Sequence, residues 1–210
     1  MERILALSLE HMQLSVIAVV LATAIGLPLG IITSRIRWLA SLVMNITEVL
    51  QTIPSLAMLA FIMMLFGLGN TTLVIALVLY SLLPIVRNSY TAITRVDQGL
   101  IEAGIGMGMT RLQLLRQVQL PLALPVILAG VRVALVTAIG IATLGVLIGS
   151  GGLGGLIWMG MRNVETQKGV NMILSGAIPA ALLAILCEVI VGKFENAVTP
   201  RRLKITTANQ

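Results

Sequence analysis

The sequence predicts an all-α membrane protein with about five transmembrane helices. Three observations lead there. Of 210 residues, 58 % are hydrophobic and only 10 % are charged, whereas an ordinary soluble domain carries about 25 % charged residues. The mean hydropathy is +1.03. The apolar residues also fall in long blocks, and a bilayer needs roughly 20 residues of helix to cross it. Aromatics make up 3 %, so the apolar mass is Leu, Ile, Val, Ala and Met. Residues 1–198 read as one membrane domain.

The blocks place the spans at about 12–33, 45–67, 72–90, 122–148 and 172–193. The second belongs to a longer apolar stretch that starts near Leu39 and is interrupted by Pro54. Its first half carries Asn45, Glu48 and Gln51, which suits an amphipathic segment or one near the inner surface. Pro84 lies inside the third span.

Charge gives the orientation. The net charge is +6, but the Lys and Arg residues sit between apolar blocks rather than on one basic face, so nucleic-acid binding is excluded. Arg35 and Arg37 follow the first span, and Arg87 and Arg95 the third. Arg111 and Arg116 precede the fourth, and Lys193, Arg201, Arg202 and Lys204 follow the fifth. Only Arg3, Arg162 and Lys168 fall on the other side. Cytoplasmic loops hold the excess of Lys and Arg, so the N-terminus is expected outside and the C-terminus in the cytosol of a prokaryotic inner membrane. Arg132, early in the fourth span, is expected to snorkel toward the cytosol. A sixth span would require splitting the second block and would disturb this pattern.

Some classes of chemistry are not signalled. Cys187 is single and forms no internal disulfide. No cleavable signal pattern is expected in residues 1–11, because the first apolar block is too long for a signal core. No Ser-His-Asp or metal-ligand spacing occurs. His11, at the outer edge of the first span, makes an improbable lone metal ligand. Neither a metal nor a cofactor is expected in this chain. The polar tail 199–210 is short.

Two polar connections are long: 91–121, expected in the cytosol, and 149–171, expected outside. The first has internal order. Thr94-Arg95-Val96-Asp97 and Thr110-Arg111-Leu112-Gln113 both have capping-box spacing, which starts helices. Gly108 permits a sharp turn between them, and Pro121 and Pro125 suit the start of the next helix. The first helix is apolar at Leu100, Ile101, Ala103, Ile105 and Met107, so it needs a partner, either its own bundle or another protein.

The spacing Glu102-Ala103-Gly104-x3-Gly108-x9-Val118-x-Leu120-Pro121 resembles the signature loop of permease subunits in binding-protein-dependent ABC importers. Two positions depart from that pattern: Gly104 for a second Ala, and Val118 for the commoner Ile. The resemblance implies the type I importer permease fold. It implies a coupling helix docked on a cytosolic ATPase subunit through Glu102, Ala103, Gly104, Gly108, Thr110 and Pro121. The chain itself has no G-x-x-x-x-G-K-[ST] phosphate loop; Gly192-Lys193 is followed by Phe194. ATP and magnesium would therefore be bound by two separate ATPase subunits, and this chain would be a transporter subunit rather than an enzyme.

Three further stretches are similar to the osmoprotectant branch of that family, for glycine betaine, carnitine and choline. They are Gln51–Ser55, Leu120–Pro125, and the Gly-rich run from Ile148 with Asn171–Ala180. Permeases for amino acids such as methionine share the Gly-rich run and remain an alternative. Aromatic cages hold quaternary ammonium groups, but Trp38, Trp158, Tyr80, Tyr90, Phe61, Phe66 and Phe194 are scattered, mostly near span ends. Selectivity is therefore expected in a separate extracellular binding protein or domain.

Polar groups within spans are the path candidates, because they are expensive in lipid. Glu48, Gln51, Thr52 and Ser55 cluster around Pro54 at helical spacing. Glu48 either attracts a cation or pairs with Arg35 or Arg37. Glu188 reads as structural or interfacial. Gly149, Gly151, Gly152 and Gly154 give either a flexible external gate or docking surface, or a simple loop before an interfacial segment. Gly26, Gly30, Gly130, Gly140 and Gly145 favour close helix packing. Five spans do not enclose a pathway, so a second permease, identical or homologous, is expected. An ion-gradient-driven transporter is the competing class; it predicts deep ionisable residues and often a repeat, and neither stands out. A membrane scaffold without transport is a third possibility.

Overall fold

A computed structural model describes residues 2–199, and every regular element among them is helical. The chain runs α1 (Glu2–Thr33), α2 (Arg37–Thr52), α3 (Ser55–Phe66), α4 (Asn70–Thr94), α5 (Gln98–Gly106) and α6 (Arg111–Leu114). A π turn (Leu115–Gln119) leads into α7 (Leu120–Ala142), and a 3-10 turn (Thr143–Ile148) follows. α8 (Gly154–Met161) and α9 (Gln167–Val198) complete the bundle. Four spans are long and apolar enough to cross a membrane, or five if α2 and α3 count as one. The tail residues Arg201, Arg202 and Lys204 lie outside the described residues.

Several boundaries differ from the sequence expectation for physical reasons. α1 begins at Glu2 rather than near residue 12, because Ile4 and Leu7 pack against Leu153, Leu156 and Ala180. The expected span 45–67 is broken: α2 and α3 meet at 101° around Ile53-Pro54. Proline has no N–H to continue the ladder, and its ring clashes with the preceding turn. α6, the π turn, α7 and the 3-10 turn form one continuous 38-residue span, Arg111–Ile148. The stretch 149–171 contains α8 and is not a plain loop.

α4 is the central helix. Leu73, Ala76, Leu77 and Ile85 are fully buried, packed among Ala18 and Ala22 of α1, Leu59 of α3 and Ala138 of α7. Glycine notches set the approach of its neighbours. A Cβ on Gly26 would meet Ile85 Cγ2 at 3.0 Å, and one on Gly30 would meet the Val86 carbonyl at 2.9 Å. On the α4–α7 side, a Cβ on Gly130 would lie 2.7 Å from the Pro84 carbonyl, and one on Gly145 2.8 Å from Leu73 Cδ2. Gly140 differs from the expectation: it faces open space and packs against nothing within this chain.

Arg132 does not snorkel freely. It bridges α7 to α9 through Glu188 at 3.1 Å and Glu195 at 3.3 Å. Of the two readings of Glu188, structural or interfacial, the pairing with Arg132 fits the structural one. Glu48 also takes a different partner: Arg87 of α4 pairs with it, not Arg35 or Arg37.

Packing at the notches is checkable. Gly130→Ala should destabilise the chain by about 1–3 kcal/mol through overpacking, read as a lower unfolding temperature in detergent. Gly140→Ala should not lower it.

Candidate functional site

Three groups of residues are candidates, and each is positioned by a local rule. The first is the α5–α6 corner. Asp97 is the N-cap of α5, its Oδ1 accepting from the Gly99 and Leu100 amides at 2.7 and 3.2 Å. The expected cap Thr94 instead donates to the Tyr90 carbonyl at 2.9 Å, inside the last turn of α4. At α6 the capping box forms as the sequence reads: Gln113 N–H donates to Thr110 Oγ1 at 3.3 Å and Thr110 N–H to Gln113 Oε1 at 2.8 Å.

Between the two helices Gly108 has φ +80°, a left-handed conformation that side-chain-bearing residues avoid. Gly104 is buried, and a Cβ there would sit 2.7 Å from Leu114 Cδ1. The departure from Ala at this position therefore has a packing reason: α5 lies directly on α6. Glu102 and Ala103 point to solvent beside Leu100, Ile105, Met107 and Leu112, which are 48–73 % exposed. Large apolar side chains left exposed on two adjoining helices make this corner a candidate interaction surface. Pro121, in the first turn of α7, is exposed.

The π turn that follows the corner is tied to the bundle. Arg35, after α1, donates to the side chain of Gln119, which is buried in the π turn. Sequence reasoning missed this pair. π turns are rare and frequent at functional sites, but nothing in the local sequence marks one.

The second group lines an open cavity of about 580 Å³ beside the α2–α3 break. Gln51, Thr52, Pro54 and Ser55 line it, together with Tyr80, Pro84, Arg87 and Thr137. Glu48 does not line it; its Arg87 partner does. The expected shared helical face is interrupted by the 101° bend, yet Gln51, Thr52 and Ser55 still converge on one cavity. Two freed backbone carbonyls explain the arrangement. Pro84 has no N–H for the Tyr80 carbonyl one turn back, and Gln51 Nε2 donates to that carbonyl at 2.8 Å. The Tyr80 hydroxyl in turn donates to the Ile53 carbonyl at the break. Tyr80 is thus an internal clamp between α4 and the α2–α3 break. The signal was present: a proline inside a span orphans the carbonyl four residues earlier.

The third group is the Gly-rich run, and it is not a flexible segment. Gly149 and Gly152 have φ of +71° and +95°. A Cβ on Gly151 would overlap the Glu10 carboxylate, and one on Gly154 would overlap the Thr143 carbonyl. Ser150 Oγ donates to Asn70 Oδ1 at 2.7 Å. His11 is fully buried against this run rather than at an open edge. Among the described residues no cluster of three His, Cys, Asp or Glu side chains offers a metal site.

Residues 26–200 match the protein family described as the inner membrane component of binding-protein-dependent transport systems. A glycine betaine/carnitine/choline transport system permease of Bacillus subtilis (strain 168) is 48 % identical over 195 residues, covering 93 % of this chain and 84 % of the relative. A choline transport system permease of the same organism is 46 % identical over 199 residues, covering 95 % and 87 %. In fold, the chain is similar to one from the methionine ABC transporter solved in inward-facing conformations. The TM-score is 0.80 at 22 % identity, with 95 % and 98 % of the two chains covered. A match of this extent, on a bundle with the spacing and corner described above, assigns the fold and the subunit type: the chain belongs to the family of inner-membrane permease components of binding-protein-dependent ABC transport systems.

Proposed function

We propose that this permease subunit imports a compatible solute of the quaternary ammonium class, such as glycine betaine, carnitine or choline. The observation that carries the substrate class is the 46–48 % identity to permeases named for those solutes over 93–95 % of the chain. The exposed α5–α6 corner is the docking surface for one of two cytosolic ATPase subunits, which bind ATP and magnesium. Glu102 offers a charge, the small exposed Ala103 allows close approach, the buried Gly104 seats α5 on α6, and Gly108 and Thr110 fix the turn. Arg111–Ile148 is one continuous span from that corner to the Gly-rich run, so a push on the corner is delivered as a rigid-body movement.

In this reading the α5–α6 corner and the C-terminus are cytosolic and the N-terminus is external. The cavity lined by Gln51, Thr52, Pro54 and Ser55 is half of the translocation path, and a second permease, identical or homologous, closes it. Glu48 acts through Arg87. Gly149, Gly151, Gly152 and Gly154 form the external gate, facing an extracellular binding protein or domain that supplies most of the selectivity.

The substrate class is tested by uptake in cells lacking their own osmolyte importers, expressing the chain with its ATPase, second permease and binding protein. ATP-dependent uptake of at least one quaternary ammonium solute is expected; uptake of methionine instead would assign the amino-acid alternative. Failure of any ATPase to co-purify with the intact chain would remove the importer reading itself.

The coupling role has its own test. Gly108→Val places a β-branched residue at φ +80°, a strain of about 1–3 kcal/mol at the corner. Membrane insertion should persist and uptake should be lost, whereas Gly108→Asn, which tolerates this conformation better, should retain part of it. Unchanged uptake in the valine variant would refute coupling through this corner.

A further inference from the structure

The Gly-rich run carries an arrangement that the transport reading does not require. Five consecutive backbone amides, from Gly149 to Leu153, are all satisfied. The first two bond locally, to the Val146 and Gly145 carbonyls at 3.2 and 2.9 Å. The next three are each held by a different side chain from another element. Gly151 N–H donates to Asn70 Oδ1 of α4 at 3.0 Å. Gly152 N–H donates to Glu10 Oε2 of α1 at 3.1 Å. Leu153 N–H donates to Nδ1 of His11, also of α1, at 3.4 Å.

His11 makes a second contact that ties this run to the long span. The bundle tightens from α-helix to 3-10 geometry at Thr143, whose amide turns to the Gly140 carbonyl instead of the Ile139 carbonyl. The Ile139 carbonyl is left without its helical donor. His11 Nε2 lies 3.0 Å from it. With Nδ1 accepting from Leu153 and Nε2 donating to Ile139, the ring is the neutral tautomer protonated at Nε2. One buried ring therefore joins the end of the span and the start of the run to α1.

We propose that Glu10, His11 and Asn70 are positioning residues that latch the Gly-rich run shut, and that the latch releases in the ATP-driven half of the cycle. The reasons are geometric. The three side chains grip successive amides of one strap, so a small shift of Arg111–Ile148 relative to α1 and α4 breaks all three bonds together. The strap has no side chains of its own to obstruct movement at Gly151 and Gly152. Besides its local bonds to Gly145 and Val146, the strap is linked through the His11 ring to the Ile139 carbonyl, deeper in the span that leads to the α5–α6 corner.

This inference rests on the importer reading, and its test separates the two. Amide hydrogen exchange is followed in the complete transporter, with ATPase, second permease and binding protein, in the resting state and with ATP plus vanadate. The amides of Gly151, Gly152 and Leu153 should exchange slowly at rest and about tenfold or more faster when trapped, a factor on the scale of losing a net hydrogen bond. Leu73 and Leu77 amides in α4 should stay protected throughout. In His11→Leu the three amides should exchange fast even at rest while the α4 amides remain slow, which shows that the fold is intact. In His11→Gln, which can restore a donor to the Ile139 carbonyl, slow exchange should partly return. Should the α4 amides also lose protection in His11→Leu, Glu10→Gln and Asn70→Ala are read in the same way. Amides that stay protected in a transporter that hydrolyses ATP and imports solute overturn the latch alone. A preparation with no ATP-dependent import overturns the underlying reading.

Discussion

The constraint on which the structure depends is that a backbone group freed inside a membrane bundle must find a partner within the protein, because lipid supplies none. This chain breaks or tightens its helices at several depths, and at three of them a side chain meets a freed carbonyl. Gln51 takes the Tyr80 carbonyl freed by Pro84, Tyr80 takes the Ile53 carbonyl at the α2–α3 break, and His11 takes the Ile139 carbonyl at the onset of 3-10 geometry. The polar groups are therefore neither decoration nor a ready-made binding site. They are what allows a bent α2–α3 pair and a tightened end of the long span to exist at all.

The same constraint shapes the features that face function. The bend at Pro54 opens the cavity, and its stabilising clamp supplies the cavity wall. Glu48, read from the sequence as a cation attractor or a partner of Arg35 or Arg37, is paired with Arg87, and it is Arg87 that lines the cavity. Arg132 is likewise enclosed between Glu188 and Glu195. These charged side chains hold helices to one another: α2 to α4, and α7 to α9.

Glycine does the complementary work. Close approach of α1 and α7 to α4 is decided at Gly26, Gly30, Gly130 and Gly145, where a methyl group would meet another helix. At Gly104 the absence of a side chain brings α5 onto α6, and at Gly108 it permits the turn. The result is an apolar corner held rigidly at one end of a 38-residue span, with a tightly gripped strap at the other end.

By itself the sequence determined the class and the subunit. Block length and sparse charge specify membrane helices. The spacing from Glu102 to Pro121, the Thr110 cap and the Gly108 turn are local in the chain, and local rules suffice to read them. Asp97 in place of Thr94 as the first cap shows the limit of even those rules: both residues can cap, and packing of the last turn of α4 selects between them. Only the tertiary structure decided who partners whom. His11 meets Ile139 and Leu153 across more than a hundred residues, Glu48 chooses Arg87 over Arg35 and Arg37, which are nearer in sequence, and the amides of Gly151 and Gly152 donate to side chains of α4 and α1, which makes an apparently flexible run a fixed one. These outcomes depend on which orphaned backbone group or charge each side chain faces once the helices have packed, and no periodicity or spacing encodes that.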